Sequence, residues 1–133
     1  MERGITTVKI TTFNPQIITN HLAEVVGLFE ALGFEKRHSL DANTGTQDLT
    51  SVRMKDANGF HVDIAEIPET SLPKDLTLIR MNVDDFDEAY AFLTERGFTS
   101  PRKGQTVDTK TNKSCMMISP SGFAFDLCQH IKE

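Results

Sequence analysis

Five side chains in this sequence could do chemistry together: the carboxylates of Asp63 and Asp126, the cations of Lys9 and Arg80, and the imidazole of His61. Two acids beside two bases can serve three ends. The cations can receive an anionic ligand, an Asp can act as a base while Lys9 or Arg80 steadies an oxyanion, or the four can close on one another as interior ion pairs. Buried charge is costly unless paired, so the four are better explained together than singly. Base chemistry needs an upward pKa shift that neighbouring cations oppose. The oxygens also suit weakly held Mg²⁺ or Mn²⁺ with waters, and His61 could add one nitrogen. His61 and Asp63 lie two residues apart on one strand, about 6 to 7 Å by strand rise, so they would share an ion only by converging. No Gly-x-Gly-x-x-Gly phosphate loop occurs. Cys128 and His130 have no nucleophile elbow, and Cys115 near Asp126 is a poor thiolate. Two cysteines alone make neither a disulfide framework nor a closed zinc site.

Strand alternation sorts these residues by face. His61 goes with Asp63 and Ala65, and Ala124 with Asp126 and Cys128, while Val62, Ile64, Phe123, Phe125 and Leu127 take the helix-covered side. Pairing the hairpins tightly puts Val52 and Met54 across from Asp63 and His61, and Cys115 and Met117 across from Asp126 and Ala124. With Thr7, Lys9 and Thr11 inward, Lys9 becomes the equivalent of Arg80. The expected ligand wall is then Lys9, Met54, His61, Leu78, Arg80, Cys115 and Met117. One feature resists this register: Arg53 and Lys55 fall on the face of Val62 and Ile64, so either the strand projects beyond its helix or the pairing slips by one.

The elements that must position these residues repeat. Leu28 to Phe34 resembles Phe92 to Phe98, and Gly59-Phe60-His61-Val62-Asp63-Ile64 resembles Gly122-Phe123-Ala124-Phe125-Asp126-Leu127, at offsets of 64 and 63. The first half predicts a strand over 5–13, a helix over 20–32 ended by Gly33, and strands over 35–40, 49–55 and 60–66. The second predicts a strand over 76–83, a helix capped by Asp85 with Glu88 three residues on and ended by Gly97, a short strand near Thr99, and strands over 114–119 and 123–129. Asn58-Gly59 and Ser119-Pro120-Ser121-Gly122 mark the turns. Asn14 to Thr19, an insertion absent from the second half, predicts a short turn that packs Ile17 and Ile18 on the sheet or on a partner. The fold class is α+β: two βαβββ modules, 1–67 and 74–133 with a linker over 68–73, whose strongly curved mixed sheet encloses a cleft with the helices outside.

Bulk properties narrow the partners. The chain has 133 residues and a formal charge of −5, with 14 Lys and Arg against 19 Asp and Glu. That length fits one domain, and no basic block competes for a phosphate backbone, so nucleic acid is not an expected partner. No apolar run reaches the roughly 18 residues that span a bilayer, and the expected location is the cytoplasm.

With Leu32-Gly33-Phe34, Val83-Asp84-Asp85-Phe86-Asp87-Glu88-Ala89 and Ser119-Pro120-Ser121-Gly122-Phe123-Ala124-Phe125-Asp126-Leu127, the chain resembles the vicinal oxygen chelate superfamily. That group contains glyoxalase I, extradiol dioxygenases, fosfomycin-resistance and bleomycin-binding proteins. Metal-dependent relatives take ligands from the first and last strands of each module. Here the glutamate positions fall on Asp63 and Asp126, and the histidine positions fall close to Thr7 and Leu78, which offer no imidazole. The resemblance therefore implies a glyoxalase-like small-molecule binder, its ligand organic and anionic, with no tightly bound transition metal and no metal-ligand residues assigned. Two further readings stand beside it: a lyase or isomerase with an enediolate or oxyanion intermediate, with Asp63 and Asp126 as catalytic residues, or a non-catalytic dimeric scaffold. Relatives commonly pair modules across subunits, which implies a homodimer, with Ile17 and Ile18 as apolar contacts.

Overall fold

The computed structural model describes residues 8–43, 48–66, 73–101, 103–108 and 112–130. Among these, the elements in chain order are β1 (Ile10–Ile18), α1 (Leu22–Ala31), β2 (Glu35–Asn43), β3 (Asp48–Lys55), β4 (His61–Glu66), β5 (Leu76–Val83), α2 (Phe86–Glu95), β6 (Val107–Asp108), β7 (Asn112–Ile118) and β8 (Ala124–His130). The fold is α+β with an eight-stranded mixed sheet. Its hydrogen-bonding order is β2-β3-β4-β1-β5-β8-β7-β6, with β1 parallel to β4 and the hairpins β2–β3, β3–β4, β6–β7 and β7–β8 antiparallel. No helix among the described residues is long and apolar enough to cross a membrane.

The chain divides into two compact units, cut within β1 and β5: Asn14–Arg80 forms one, and the residues up to Phe13 with those from Met81 onward form the other. The modules expected from the sequence, 1–67 and 74–133, are joined by a linker over 68–73. Most of that segment, through residue 72, lies outside the described residues.

In the Asn14–Arg80 unit, α1 sets Val26 against Val52, Met54, Val62 and Ile64, with Ile17, Leu22, Val25, Phe29 and Phe34 around them. The helix begins without a side-chain cap at His21 and stops at Leu32, after which Gly33 takes a positive φ of 103°. In the other unit, α2 lays Phe86, Ala89 and Leu93 on Met81, Val83, Cys115, Met117 and Leu127. Asp85 caps this helix as the sequence predicts, its carboxylate accepting from the Glu88 backbone N–H at 3.1 Å. The side-chain oxygen of Gln129 on β8 accepts from the Phe86 N–H at 2.6 Å, which fastens the helix start to the sheet of its own unit.

Three expectations are corrected. First, β1 starts at Ile10 and continues through Ile18, so Asn14 to Ile18 is strand and not a turn. Its parallel pairing with β4 matches Gln16 with Asp63 and Ile17 with Ile64. Ile17 is used inside the Asn14–Arg80 core, which removes one of the two apolar contacts assigned to a dimer.

Second, both hairpins pair one residue away from the predicted register. Arg53 lies across from Asp63, Met54 from Val62 and Lys55 from His61; Cys115 lies across from Leu127, Met116 from Asp126 and Met117 from Phe125. The cause is turn length. Asp56 pairs with Phe60 and Ser119 with Phe123, leaving Ala57 to Gly59 and Pro120 to Gly122 as three-residue loops. Asp56 fixes the first by accepting from the N–H groups of Asn58 and Phe60 at 3.0 and 2.9 Å. Gly59 and Gly122 supply the positive φ, 91° and 110°, that closes such loops. A shift of one residue moves a strand's whole side-chain set to the other face. Met54 and Met117 are therefore fully buried in the helix-covered cores, Cys115 is 4% exposed there, and none of the three forms a ligand wall.

Third, Lys9 precedes β1 and is exposed, and its carbonyl accepts from the Asp84 N–H. The polar face of β1 is carried by even positions, with Asn14 and Gln16 buried, so Lys9 is not the counterpart of Arg80. A further difference is β6, a two-residue strand where the sequence predicts none, while Thr99 makes an isolated bridge to Ile118.

Candidate functional site

The polar face of the Asn14–Arg80 unit is built by three adjacent strands. On β4, Asp63 is 1% exposed, far more buried than a surface carboxylate. In-register pairing puts Arg53 of β3 beside it on one side and Gln16 of β1 on the other. Side chains at paired positions share a face, so all three project together. Arg80 stands on β5, beyond β1 in the strand order. Neighbouring strands are about 4.8 Å apart, so Asp63 and Arg80 must lean toward each other across roughly 10 Å, over the face of β1 that carries Asn14 and Gln16.

Asp63 is saturated with donors. Arg53 grips it as a fork, Nε to Oδ1 and Nη2 to Oδ2, both at 3.0 Å. Asn14 donates from Nδ2 to Oδ2 at 2.6 Å and accepts from Arg53 Nη2 on its own Oδ1 at 3.1 Å. Nη1 of Arg80 lies 3.6 Å from Oδ1. That distance is an ion pair, beyond hydrogen-bond range, whereas the Arg53 contacts are charge-assisted hydrogen bonds. The two guanidiniums thus differ in how they meet Asp63. Both keep some water, with 24% of the Arg53 side chain and 18% of the Arg80 side chain exposed.

Burial alone would raise the Asp63 pKa, but hydrogen bonds from Arg53, the positive charge of Arg80 and the Asn14 amide together outweigh it. The net effect is a carboxyl held below its ordinary value. A depressed folded-state pKa contributes stability that is complete above the unfolded value, near 3.8, and is lost as pH falls through the lower folded value. The Asp63 carboxyl carbon, followed by NMR, is expected to titrate at lower pH than ordinary aspartates. A midpoint at or above the ordinary value would show that the arginines do not control this group.

The site brings together only part of the predicted set. Asp63 and Arg80 meet, as their shared inward facing predicts. His61 is half-buried on the Asp63 face of β4, two residues away and in register with Lys55. Asp126 is half-buried on β8, in register with Met116, and belongs to the other unit. Met54, Cys115, Met117 and Lys9 lie elsewhere, as described above. Sequence reasoning missed Arg53, Asn14 and Gln16. The signal for Arg53 was present: a cation on a face otherwise filled by Val62 and Ile64 marks a register one residue off.

A divalent cation does not fit at Asp63. Its oxygens already face two guanidinium groups and an amide N–H, which would repel a metal ion rather than share it. Among the described residues no group of three or more His, Cys, Asp or Glu side chains is placed to hold a metal.

No family model matches the chain, and no curated protein matches it. Solved structures do. Methylmalonyl-CoA epimerase from Mycobacterium tuberculosis superposes with a TM-score of 0.69 at 12% identity, over 95% of this chain and 92% of that one. A glyoxalase/bleomycin resistance/dioxygenase superfamily member from Vibrio splendidus 12B01 gives 0.58 at 19% identity, over 91% and 99%. The fold is that of the vicinal oxygen chelate superfamily. A mutant of 4-hydroxymandelate synthase from Streptomyces coelicolor shares it as well, with a TM-score of 0.55 at 14% identity over 95% of this chain, which spans 50% of that enzyme's length. Identities this low carry the vicinal oxygen chelate fold and leave the chemistry to the residues of the site.

Proposed function

We propose that this protein binds a modest organic anion on the polar face of the Asn14–Arg80 unit, with Arg80 as the anchor and without a tightly held transition metal. The observation that carries this reading is the placement of Arg53 and Arg80: both guanidinium groups stand on one polar face beside the buried carboxylate, and each keeps part of its side chain in water. Arg53 grips the carboxylate bidentately, whereas Arg80 meets it at 3.6 Å, beyond hydrogen-bond range. A planar guanidinium suits a carboxylate or a phosphate oxygen. That methylmalonyl-CoA epimerases share the fold is consistent with an acidic organic ligand. The titration that tests the anchor is a comparison of wild type with Arg80→Met, argued in the Discussion.

Catalysis by Asp63 as a base is not favoured. A carboxylate surrounded by three donor side chains and held below its ordinary pKa is a poor proton acceptor at neutral pH. A lyase or isomerase reading would have to draw its base from another residue, with Asp126 the remaining candidate of the predicted pair.

Protein purified without added metal is expected to contain no stoichiometric Zn²⁺ or Ni²⁺. The motivation is the guanidinium and amide shell of Asp63, and the measurement is elemental analysis by mass spectrometry. One metal ion per chain persisting through dialysis would overturn the metal-free part of the proposal.

A further inference from the structure

In the unit that ends at Phe13 and resumes at Met81, Oδ1 of Asn82 on β5 and Oγ1 of Thr12 on β1 are buried with no hydrogen-bond partner. Only 8% of Asn82 is exposed. Natural chains keep few such atoms, because a buried acceptor without a donor has given up its water and gained nothing in return. These two lie on one face. Asn82 alternates with Met81 and Val83, which are buried in the core under α2, and Thr12 alternates with Phe13, whose ring meets that of Phe125 beside the same core. Both polar side chains therefore stand on the sheet face opposite α2. β1 and β5 are neighbours in the sheet, and the Asp84 N–H ties them together by donating to the Lys9 carbonyl at 3.1 Å. By alternation Ile10, 52% exposed, shares the face of Thr12, and half-buried Ala124 and Met116 of β8 and β7 share the face of Asn82. Asp126 also lies there, with an interaction of its own.

We infer that this face is a binding site for a neutral amide, read by Asn82. The inference goes beyond the anion reading and uses none of its residues. What Oδ1 lacks is a hydrogen, and a carboxylate has none to offer. A cation has one, but would give up its hydration beside a neutral amide and a neutral hydroxyl. The Asn82 side chain carries its acceptor Oδ1 and its donor Nδ2 side by side, so its complement is a group whose N–H and C=O also lie side by side. A primary amide, a lactam or an imide has that arrangement, whereas a trans peptide bond turns the two opposite ways. The Thr12 hydroxyl can donate to the same ligand carbonyl or accept a second hydrogen. Ile10, Ala124 and Met116 suit the apolar remainder of such a molecule.

Four planar probes of matched size separate these cases: benzamide, which offers N–H and C=O; acetophenone, which replaces the NH₂ with a methyl; benzoate, an anion; and benzamidinium, a cation. Each is titrated into the full-length protein while backbone amide shifts are followed by NMR. The readout is the group of resonances from Thr11 to Phe13 and from Met81 to Val83, which keeps this site distinct from the anion site around Asp63. Benzamide is expected to bind there about five-fold or more tightly than acetophenone, in line with one neutral hydrogen bond, and more tightly than either charged probe. In Asn82→Leu, which keeps the shape and removes the amide, benzamide and acetophenone should bind alike. Equal binding of those two by the wild type would overturn the inference, as would a preference for benzamide that persists in folded Asn82→Leu. Tighter binding of benzamidinium would overturn it as well, since Asp126 and not Asn82 would then select the ligand. Absence of shifts at these residues with all four probes would overturn it and leave the anion reading untouched. The wild-type comparison decides the question even if the variant does not fold.

Discussion

Replacing Asp63 with Asn is expected to lower the unfolding free energy by about 3 to 5 kcal/mol, the range found when one partner of a buried ion pair is removed. The shape of the side chain hardly changes, so the loss is electrostatic. Arg53 and Arg80 would lose the negative charge they share at Asp63, and one oxygen acceptor would become an N–H donor turned toward other donors. Because each arginine keeps roughly a fifth of its side chain in water, hydration should offset part of the cost and hold the effect toward the low end. Denaturant unfolding at neutral pH gives the measurement, and the double variant Asp63→Asn with Arg53→Met should recover part of the loss by removing the stranded charge. The single variant should also lack the wild type's decline in stability on acidification through the Asp63 titration. A loss below 1 kcal/mol would mean that the cluster is solvated far more than its burial indicates.

The second large effect concerns binding. Arg80→Met is expected to weaken an anionic ligand by about ten- to a hundred-fold, as hydrogen bonds to charged groups contribute roughly 1.5 to 3 kcal/mol each. A neutral apolar dye, if it binds, should be affected far less. Met preserves most of the apolar stem while removing the planar donor fork. The fold should tolerate this change better than the loss of Asp63, because the Arg53 fork and the Asn14 amide still satisfy the carboxylate. The Arg80 contact, at 3.6 Å, is the longest of the set. Calorimetric titration of both proteins, after each is shown to be folded, separates anchoring from stability. Equal affinity for anions in the two would reject Arg80 as the anchor.

Much of this architecture is written in the sequence. Local signals decide helices and turns, and they survive folding unchanged: the Asp85 cap with Glu88, glycines that close α1, α2 and both hairpins, and the repeated order of strands and helix within each half. Alternation alone also set Asp63, Asp126 and Arg80 on inward faces, since each lies between apolar neighbours that must face a core, but it left either aspartate open as the partner of Arg80. What alternation cannot supply is the pairing of one strand with another. The period of two determines which residues of a strand share a face, but not which face, and an error of one residue reverses every assignment. Two hairpin loops of three residues were enough to turn Met54, Cys115 and Met117 into core and bring Arg53 onto Asp63. Likewise the sequence reading ends the first strand at Phe13 and makes a turn of Asn14 to Thr19; pairing with β4 carries β1 on through Ile18, and with it Asn14 and Gln16 become the polar floor beside the carboxylate. The sequence by itself determined both helices, most of the strands, their order and the inward facing of Asp63 and Arg80. Tertiary structure decided the rest of the site, because register is set by hydrogen bonds between strands far apart in the chain, and only those bonds fix which side chains stand side by side.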